Sequence, residues 1–294
     1  MEPSVTCMGE TILDIVFKND EPQAAVPGGS SFNSAVSMAR AGGNVRFCGY
    51  AGNDTVGQRI MKFLKDNGLS TKYFTLRDDE KSAVSLAFLD EWDDAHYQFY
   101  KEKPSAYDSF HVPTFNEGDA LLFGSYFSIC AGTRAMVKQV IESAHDAGAL
   151  LYYDINFRRP HLHELDALLP AIHENYRLAS IVRGSADDFD IMYGTRDAEK
   201  IYHKHIAPYC PVFICTCGSV GVTVCTPNGV QKFPTPQIET VSTIGAGDNF
   251  NAGVITELVA QGIRPSQLET LDWTPFVARG QRFAAAVCQS IENY

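Results

Sequence analysis

The chain has 294 residues, of which 45% are hydrophobic and 20% are charged, and its formal net charge at pH 7 is −11. This composition is typical of a globular protein and allows one large α/β domain or two small ones. The acidic balance and the lack of any basic run argue against a nucleic-acid partner, which would need a basic surface to release counterions.

Short apolar runs alternate with helical patterns along the chain. Helical spacing predicts helices over Ser31–Arg40, Gly57–Asn67, Arg134–Ala147, Asp248–Gln261 and Thr274–Ser290. Apolar runs predict strands over Val45–Tyr50, Ala120–Phe123, Leu150–Ile155, Ser180–Val182, Val212–Thr216 and Val222–Thr226, with the last two paired. We therefore predict an α/β fold in which helices cover both faces of a mostly parallel central sheet, within a single domain over residues 1–294.

Residues 82–101 interrupt this rhythm by alternating with period two on either side of a polar turn at Glu91–Asp94. This pattern predicts a β-hairpin whose facing aromatic residues are Phe88, Tyr97 and Phe99. With a strand at Ile12–Phe17, it would form a small sheet beside the main body. We interpret residues 12–27 and 82–103 as a candidate lid, and the alternative is a surface hairpin without a role.

Neither a membrane nor an oxidising compartment is indicated. No stretch of 18 uncharged apolar residues predicts a membrane span, and Met1–Glu10 lacks the layout of a signal peptide. Six of the eight cysteines lie in apolar segments, namely Cys7, Cys48, Cys130, Cys215, Cys225 and Cys288. No histidine follows Cys215 and Cys217 at zinc spacing. We expect reduced, buried thiols in a cytoplasmic protein.

Three small residues, Gly245, Ala246 and Gly247, lead directly into Asp248 at the predicted start of a helix. Backbone N–H groups at such a turn, together with the helix dipole, form a site for an oxyanion or a phosphate. Like charges repel, so Asp248 would not bind that phosphate. It would instead accept a proton from an attacking hydroxyl. The alternative is that Asp248 only caps the helix.

Two long motifs resemble the signatures of the ribokinase-like (PfkB) carbohydrate kinases. Residues 242–253, "STIGAGDNFNAG", resemble the C-terminal signature, and residues 27–57, from "PGGSSFN" to "GNDTVG", resemble the N-terminal one. Shorter matches lie between and before them in family order, among them "QFYK" at 98–101, "DINFR" at 154–158, "SADD" at 185–188 and "TCGSVGV" at 216–222. The resemblance thus extends from end to end.

The resemblance implies roles for the two signatures. Asp248 matches the catalytic base of the family, and Gly245, Ala246 and Gly247 match its anion hole. The positions that hold sugar hydroxyls are matched by Asp14, Gly28, Gly29 and Asn33. A carboxylate and an amide suit the paired hydroxyls of a sugar, whereas local turn and cap chemistry is the alternative for these four residues.

The resemblance also implies residues that bind the nucleotide and its metal ion. Asp188 matches the acidic position associated with Mg²⁺ and its waters, and Ser185 stands where many relatives have Asn. Asp187, its neighbour, could instead belong to a solvated face. The remaining nucleotide-binding positions implied are Thr216, Gly218, Gly221 and Asn251.

Between the signatures, Arg158 resembles a basic residue near the transferred phosphate, a role that suits an arginine fork and that Arg159 could fill instead. Asn156, in the same motif, is assigned to the substrate site. "QFYK" resembles the lid segment of fructokinase-like members, with Phe99 against the sugar. The alternative for Arg158 and Arg159 is a surface salt bridge. The alternative for Phe99 is packing within the small sheet.

Ser242 departs from the family pattern, in which an Asp associated with a monovalent-cation site is usual. The C-terminal stretch Gln289–Tyr294 also lacks the glycine expected at that site. Both changes remove oxygen ligands or the room for them, so we expect activation by a monovalent cation to be weak or absent.

The function implied is transfer of the ATP γ-phosphoryl group to a terminal hydroxyl of a small sugar, with Mg²⁺ as cofactor. The motifs favour D-fructose, while a ribokinase, a 2-keto-3-deoxygluconate kinase, a kinase of phosphosugars or a nucleoside kinase remain possible. A non-catalytic sugar-binding regulator is less favoured because the base and anion hole are intact. A Rossmann dehydrogenase would need a glycine motif that Met8–Thr11 lacks. An exposed small-sheet edge predicts a homodimer through the lid.

Overall fold

In the computed structural model, which describes residues 2–89, 95–107, 110–290 and 294, a nine-stranded sheet forms the body of the molecule beside a four-stranded sheet. The strands are β1 Val5–Met8, β2 Ile12–Lys18, β3 Glu21–Gly28, β4 Val45–Gly52, β5 Ser70–Arg77, β6 Ala83–Leu89, β7 Ala95–Tyr100, β8 Ala120–Gly124, β9 Leu150–Asp154, β10 Ile181–Ser185, β11 Phe213–Thr216, β12 Val222–Thr226 and β13 Gly229–Phe233. The helices are α1 Ser30–Arg40, α2 Thr55–Asp66, α3 Arg134–Asp146, α4 Leu165–Leu178, α5 Ala186–Tyr193, α6 Ala198–Ile201, α7 Ala246–Ala260 and α8 Thr274–Cys288.

The large sheet has the order β13-β12-β11-β10-β9-β8-β1-β4-β5 and is parallel from β5 to β11. Strands β12 and β13 are added to it in antiparallel fashion, and β12 pairs with β11 as predicted. Strands such as β8 and β9 are buried on both faces, which explains their continuous apolar sequences. The predicted mostly parallel sheet is confirmed.

Helices cover both faces of this sheet, and each face has its own core. On one face, Phe32 of α1 and Ile255 of α7 lie in a cluster with Val277 of α8. On the other, Val137 of α3 and Ile172 of α4 are fully buried. Fully burying side chains of this size contributes about 1.5–3 kcal/mol each, so these helices are fixed mainly by packing against the sheet.

The small sheet has the order β3-β2-β6-β7 and confirms the predicted hairpin and the strand before it. Phe88 pairs with His96 and lies on the opposite face from Phe99, so, contrary to the prediction, these two aromatic residues do not face each other. The turn predicted at Glu91–Asp94 and the side chain of Tyr97 lie outside the described part of the chain. Phe88 of β6 stacks on Phe17 of β2, the strand that pairs with β6 in parallel, and their ring centroids are 5.1 Å apart. None of the helices in the described ranges has both the length and the apolar composition that spanning a bilayer requires.

Several elements had no assignment from sequence. Strand β5 is an edge strand of the large sheet, and only part of it is buried, including Tyr73 and Phe74, which weakens its apolar pattern. Helix α4 contains Pro170, a residue that normally ends or bends a helix. In both cases burial against the sheet overrides a weak local signal.

Candidate active site

The carboxyl ends of the parallel strands meet at one edge of the large sheet. Strand β1 lies between β4 and β8, so the chain winds outward in opposite directions on either side of it. Ligands of open α/β sheets bind outside the carboxyl ends at such a switch point. The small sheet begins at this same edge, because β2 follows β1 after only a short loop.

Asp248 lies in the first turn of α7, next to this switch point. Gly245 precedes the helix with φ of 76°, a left-handed conformation that favours glycine. The Ala246 N–H donates to the Thr243 carbonyl at 3.2 Å. The next N–H groups of α7 have no partner within the helix, and they lie where the macrodipole favours an anion. The structure thus brings the predicted anion hole and the predicted base together, as the sequence indicated.

The Asp248 carboxylate is held by two side chains of α1. Ser30 Oγ donates a hydrogen bond to Oδ1 at 2.7 Å, and Asn33 Nδ2 donates one to Oδ2 at 2.8 Å. Burial raises the pKa of Asp248 to about 6, with a further increase from the charge of Asp154 and a decrease from both hydrogen bonds. A carboxylate with this pKa is ionised at neutral pH and is still basic enough to accept a proton.

Arg183 of β10 lies behind the predicted anion hole, and no motif in the sequence indicated it. Its guanidinium donates to Asp154 Oδ1 at 3.0 Å and to Thr216 Oγ1 at 2.8 Å. A Cβ on Gly247 would lie 2.9 Å from Nη2 of Arg183, so glycine allows the helix to approach this buried cation. An arginine inside the apolar run of β10 was the available signal, since arginine is almost never buried unless it is paired.

The predicted sugar-binding residues converge at the start of the small sheet. Ser85 of β6 donates a hydrogen bond to Asp14 of β2, and burial raises the pKa of Asp14. A Cβ on Gly28 would lie 2.7 Å from Asp14 Oδ2 and 3.7 Å from Asn33 Oδ1. Gly29 has φ of 128°, and a Cβ there would lie 2.5 Å from the carbonyl oxygen of Glu10. Glycine is therefore required at position 29, and at position 28 a side chain would displace the Asp14 carboxylate.

Asn33 carries an unsatisfied polar atom at this point. The side chain is 6% exposed, and its Oδ1 has no hydrogen-bond partner, although Nδ2 is bonded to Asp248. A buried acceptor without a donor is costly. A ligand hydroxyl bound between Asp14 and Asn33 would satisfy this atom, so the geometry favours a hydroxylated ligand here.

Phe99 lies in the same cross-strand row as Asp14. Strand pairing aligns Asp14 with Ser85 and Ser85 with Phe99, so the three side chains share one face of the small sheet. Phe99 is 53% exposed. Lys101, on the segment that follows β7, forms an ion pair with Glu10 at 2.8 Å. This pair joins the small sheet to the loop after β1.

Arg158 and Asn156 follow β9 at the same edge. Arg158 is exposed, and its positive charge lowers the pKa of Asp248, which places it electrostatically close to the predicted base. Asn156 has φ of 36° and donates to Ser125 Oγ at 2.8 Å. Arg159, the alternative to Arg158, is also exposed, at the start of a 3₁₀ turn.

Ser185 and Asp188 form a capping box at the start of α5. Ser185 donates to Asp188 Oδ2 from its backbone N–H at 2.7 Å and from Oγ at 2.8 Å, and its Oγ accepts from the Asp188 N–H at 3.1 Å. Burial and the nearby Asp154 raise the pKa of Asp188. Asp187 is the exposed neighbour and pairs with Arg196. Among the described residues, no cluster of three potential ligands for a metal ion occurs.

The other predicted nucleotide-binding residues divide into two groups. Thr216 is the last residue of β11, and Gly218 and Gly221 lie in the turn that follows, both with positive φ. Asn251 is fully buried; its Nδ2 donates to Asp154 Oδ2 at 2.8 Å, and its Oδ1 accepts from the Tyr152 hydroxyl at 3.1 Å. The structure places Asn251 in a buried network with Tyr152 and Asp154, which Arg183 connects to Thr216.

The N-terminal signature also anchors the small sheet. Asp54 caps α2 by accepting from the Gly57 N–H at 2.9 Å, and it accepts from the Ser82 N–H at 3.0 Å and Oγ at 2.8 Å. Ser82 immediately precedes β6. A motif distant from the chemistry therefore fixes the point where the small sheet leaves the body.

The family model described as "pfkB family carbohydrate kinase" matches residues 2–293. An aminoimidazole riboside kinase of Salmonella typhimurium is 29% identical over 262 residues, covering 86% of this chain and 80% of that protein. A fructokinase of the same species is 26% identical over 290 residues, covering 95% of this chain and 92% of that protein. The fold is similar to the crystal structure of an aminoimidazole riboside kinase from Salmonella enterica, complexed with aminoimidazole riboside and an ATP analogue. The TM-score is 0.84 at 23% identity, and the superposition covers 99% of this chain and 95% of that chain.

Proposed function

Because the chain belongs to the pfkB family of carbohydrate kinases, we propose that it transfers the γ-phosphoryl group of ATP to the terminal hydroxyl of D-fructose, giving fructose 6-phosphate. One observation carries the proposal. The Asp248 carboxylate lies at the N-terminus of α7 and accepts a hydrogen bond from Asn33, whose unpartnered Oδ1 lies, like Asp14 Oδ2, next to Gly28.

Asp248 is the proposed base. A sugar hydroxyl placed beside its carboxylate gives up its proton as the oxygen attacks the phosphorus of the γ-phosphoryl group. Ser30 and Asn33 keep the carboxylate oriented without occupying all of its lone pairs, since each oxygen accepts one of these hydrogen bonds. Asp248 then returns the proton to solvent after the product leaves.

The N–H groups of Gly245–Gly247 are proposed to stabilise the charge on the phosphoryl oxygens during transfer. Arg183 supports them from below, because its buried guanidinium lies against Gly247. Arg158 is exposed at the edge of the site and is proposed to contact the phosphoryl group from the solvent side. Asn251 and Asp154 act by positioning Arg183 through their shared hydrogen bonds.

The residues present fit an Mg²⁺ ion that arrives with the nucleotide. Mg²⁺ usually keeps several waters and binds through one or two carboxylates together with substrate phosphates. The lack of a dedicated three-ligand cluster in the described ranges agrees with that mode. Asp188, with Ser185 beside it, would hold the ion through its waters, and the ion would neutralise phosphate charge. Thr216, Gly218 and Gly221 are proposed to line the nucleotide.

The small sheet is proposed to act as a lid over the sugar. Asp14 would bind a sugar hydroxyl together with Asn33, and Gly28 and Gly29 would allow the sugar to approach the backbone. Phe99, on the same face as Asp14, would cover the sugar when the lid closes. Asn156 would reach the sugar from β9. Closure excludes water, which would otherwise accept the phosphoryl group.

D-Fructose is proposed for two reasons. The motifs "QFYK" and "DINFR" resemble the fructokinase branch, and a fructokinase of Salmonella typhimurium matches 95% of the chain. The similarity to an aminoimidazole riboside kinase makes a riboside the strongest competing substrate. Ribose, a 2-keto-3-deoxy sugar acid and a nucleoside follow as weaker candidates.

A panel of these compounds in an ADP-release assay tests the proposal, with the Asp248→Asn variant as a matched control. We expect D-fructose to give the highest kcat/KM. We expect the variant to lose roughly 10²–10⁴ in kcat while it still binds sugar. A riboside preferred over fructose would correct the substrate. Sugar-dependent turnover that survives in Asp248→Asn would contradict the assigned base.

A homodimer that pairs the small sheets, in a cytoplasmic setting, completes the proposal. Phe99 and Tyr100 on β7 are 53% and 54% exposed, and β7 is an edge strand of its sheet. An exposed edge with aromatic side chains favours pairing with a second copy. Light scattering at micromolar concentration should give the mass of two chains, and the mass of one chain would contradict the dimer.

A further inference from the structure

Two cysteines face each other at the turn after β11. Cys215 and Cys217 have their Sγ atoms 3.9 Å apart. Cys215 is fully buried at the end of the strand, whereas Cys217 is half-buried in the turn. The other six of the eight cysteines are all buried. Cys217 is therefore the thiol that solvent reaches most readily, and a second thiol lies within hydrogen-bond distance of it.

The surroundings favour ionisation of Cys217 over Cys215. Burial opposes charge on Cys215, so this residue keeps its proton. Its S–H can then donate to the sulfur of Cys217, which lowers the pKa of Cys217 below the usual value. Partial burial of Cys217 and the negative charge of Asp187 oppose this decrease, whereas the positive charge of Arg196 adds to it. A thiolate is the reactive form of cysteine.

The position of Cys217 connects it to the nucleotide-binding turn. Its N–H donates to the Gly221 carbonyl at 2.8 Å and so closes the turn. The preceding Thr216 accepts a hydrogen bond from Arg183. A substituent on Cys217 would therefore lie at the turn to which the proposed function assigns the nucleotide.

We propose that Cys217 is a nucleophilic thiol that a low-molecular-weight disulfide such as oxidised glutathione modifies, and that the adduct blocks the nucleotide site. The Cys217 thiolate attacks one sulfur of the disulfide, a new S–S bond forms as the old one breaks, and the second glutathione leaves as a thiolate that takes a proton from solvent. Cys215 is a positioning residue that stabilises the attacking thiolate through its S–H. The effect on nucleotide rests on the proposed function, whereas the modification does not.

Intact mass spectrometry of the folded protein with oxidised glutathione tests the modification. We expect one glutathione adduct per chain, mapped to Cys217, and no adduct in Cys217→Ser. The matched control Cys225→Ser, at a buried cysteine, should still form the adduct. Adducts that map elsewhere, or that persist in Cys217→Ser, would overturn the proposal.

The role of Cys215 is tested by the rate of alkylation of Cys217 as a function of pH. Cys215→Ala removes the donor, so the rate at pH 7 should fall by about fivefold, as expected when a thiol pKa of about 7 rises by about one unit. Cys215→Ser retains a donor and should keep most of the rate. Equal rates in all three proteins, or equal loss in both variants, would refute the assignment of Cys215.

Calorimetric titration with ADP tests the consequence for nucleotide. Glutathionylated protein should bind ADP at least about tenfold more weakly, a difference of about 1.4 kcal/mol, and saturating ADP should slow the modification of Cys217. If adduct and free protein bind ADP equally, the block is refuted even where the thiol reacts. Because none of these measurements uses turnover, their outcome is separable from failure of the kinase assignment.

Discussion

Ser30→Ala should shift the pH dependence of the reaction, because Ser30 stabilises the charged form of Asp248. Its hydroxyl donates to Asp248 Oδ1 at 2.7 Å and lowers a pKa that burial has raised to about 6. A hydrogen bond to a charged group contributes about 1.5–3 kcal/mol, and one pKa unit corresponds to about 1.4 kcal/mol. The variant should therefore have a base with a pKa raised by roughly one to two units.

The expected change is largest near and below neutral pH. With a rise of one to two units, the ionised fraction at pH 7 falls from about nine-tenths to between about one-half and about one-tenth. kcat/KM should fall in proportion near pH 7 and recover at alkaline pH. A pH profile of kcat/KM, which reports ionisations of the free enzyme, measures this shift directly.

Ser34→Ala is the matched control for this experiment. Ser34 lies on the same helix and donates to the backbone carbonyl of Asp248 at 2.8 Å, not to the carboxylate. The acidic midpoint of the kcat/KM profile of Ser34→Ala should coincide with that of the wild type. If Ser30→Ala lowers kcat/KM by the same factor at every pH, or leaves the midpoint unchanged, the hydrogen bond does not tune the base and the reasoning is wrong.

Three further predictions concern stability, the anion hole and cations. The raised pKa of Asp248 stabilises the fold below the ordinary carboxyl pKa, and this contribution is lost as pH rises through about 6. In urea unfolding, the free energy of unfolding of Asp248→Asn should therefore rise by about 2 kcal/mol relative to that of the wild type between about pH 4.5 and 7.5. A difference that stays constant over this range would contradict the prediction. Gly247→Ala places a Cβ 2.9 Å from Arg183 Nη2 and should lower kcat by roughly 10²–10³ with little change in sugar affinity, whereas near-normal kcat would exclude tight packing there. Since Ser242 stands where the family has Asp, replacing sodium by potassium should leave kcat/KM unchanged, and strong activation would disprove that prediction.

The placement of the site residues was predictable where a motif holds backbone and side chain together. The run from Gly245 to Asp248 predicted a glycine turn and a carboxylate at the start of one helix, and the structure places them there; their roles as anion hole and base remain proposals. The convergence of Asp14 and Asn33 came only from the family resemblance, since β2 and α1 meet through folding. The alternation of strands and helices predicted six of the nine strands of the large sheet, namely β4, β8, β9, β10, β11 and β12, because these strands are largely buried and apolar, whereas β1, β5 and β13 had no assignment.

Other parts of the site depend on long-range contacts that the sequence does not display. Arg183 and Ser30 were missed because their roles come from contacts with Gly247 and Asp248, far away in the chain. Asn251 lies within the C-terminal signature, yet its side chain points into a buried network with Tyr152 and Asp154. Part of the C-terminal stretch Gln289–Tyr294, on which the cation prediction also rests, lies outside the described residues.

The most direct test of the central claim is a crystal structure with D-fructose and a non-hydrolysable ATP analogue bound together. We predict that the γ-phosphorus lies against the N–H groups of Gly245–Gly247. We also predict that the terminal hydroxyl of the sugar lies within hydrogen-bond distance of the Asp248 carboxylate. A γ-phosphate bound away from the start of α7, or a sugar whose terminal hydroxyl points away from Asp248, would contradict the account.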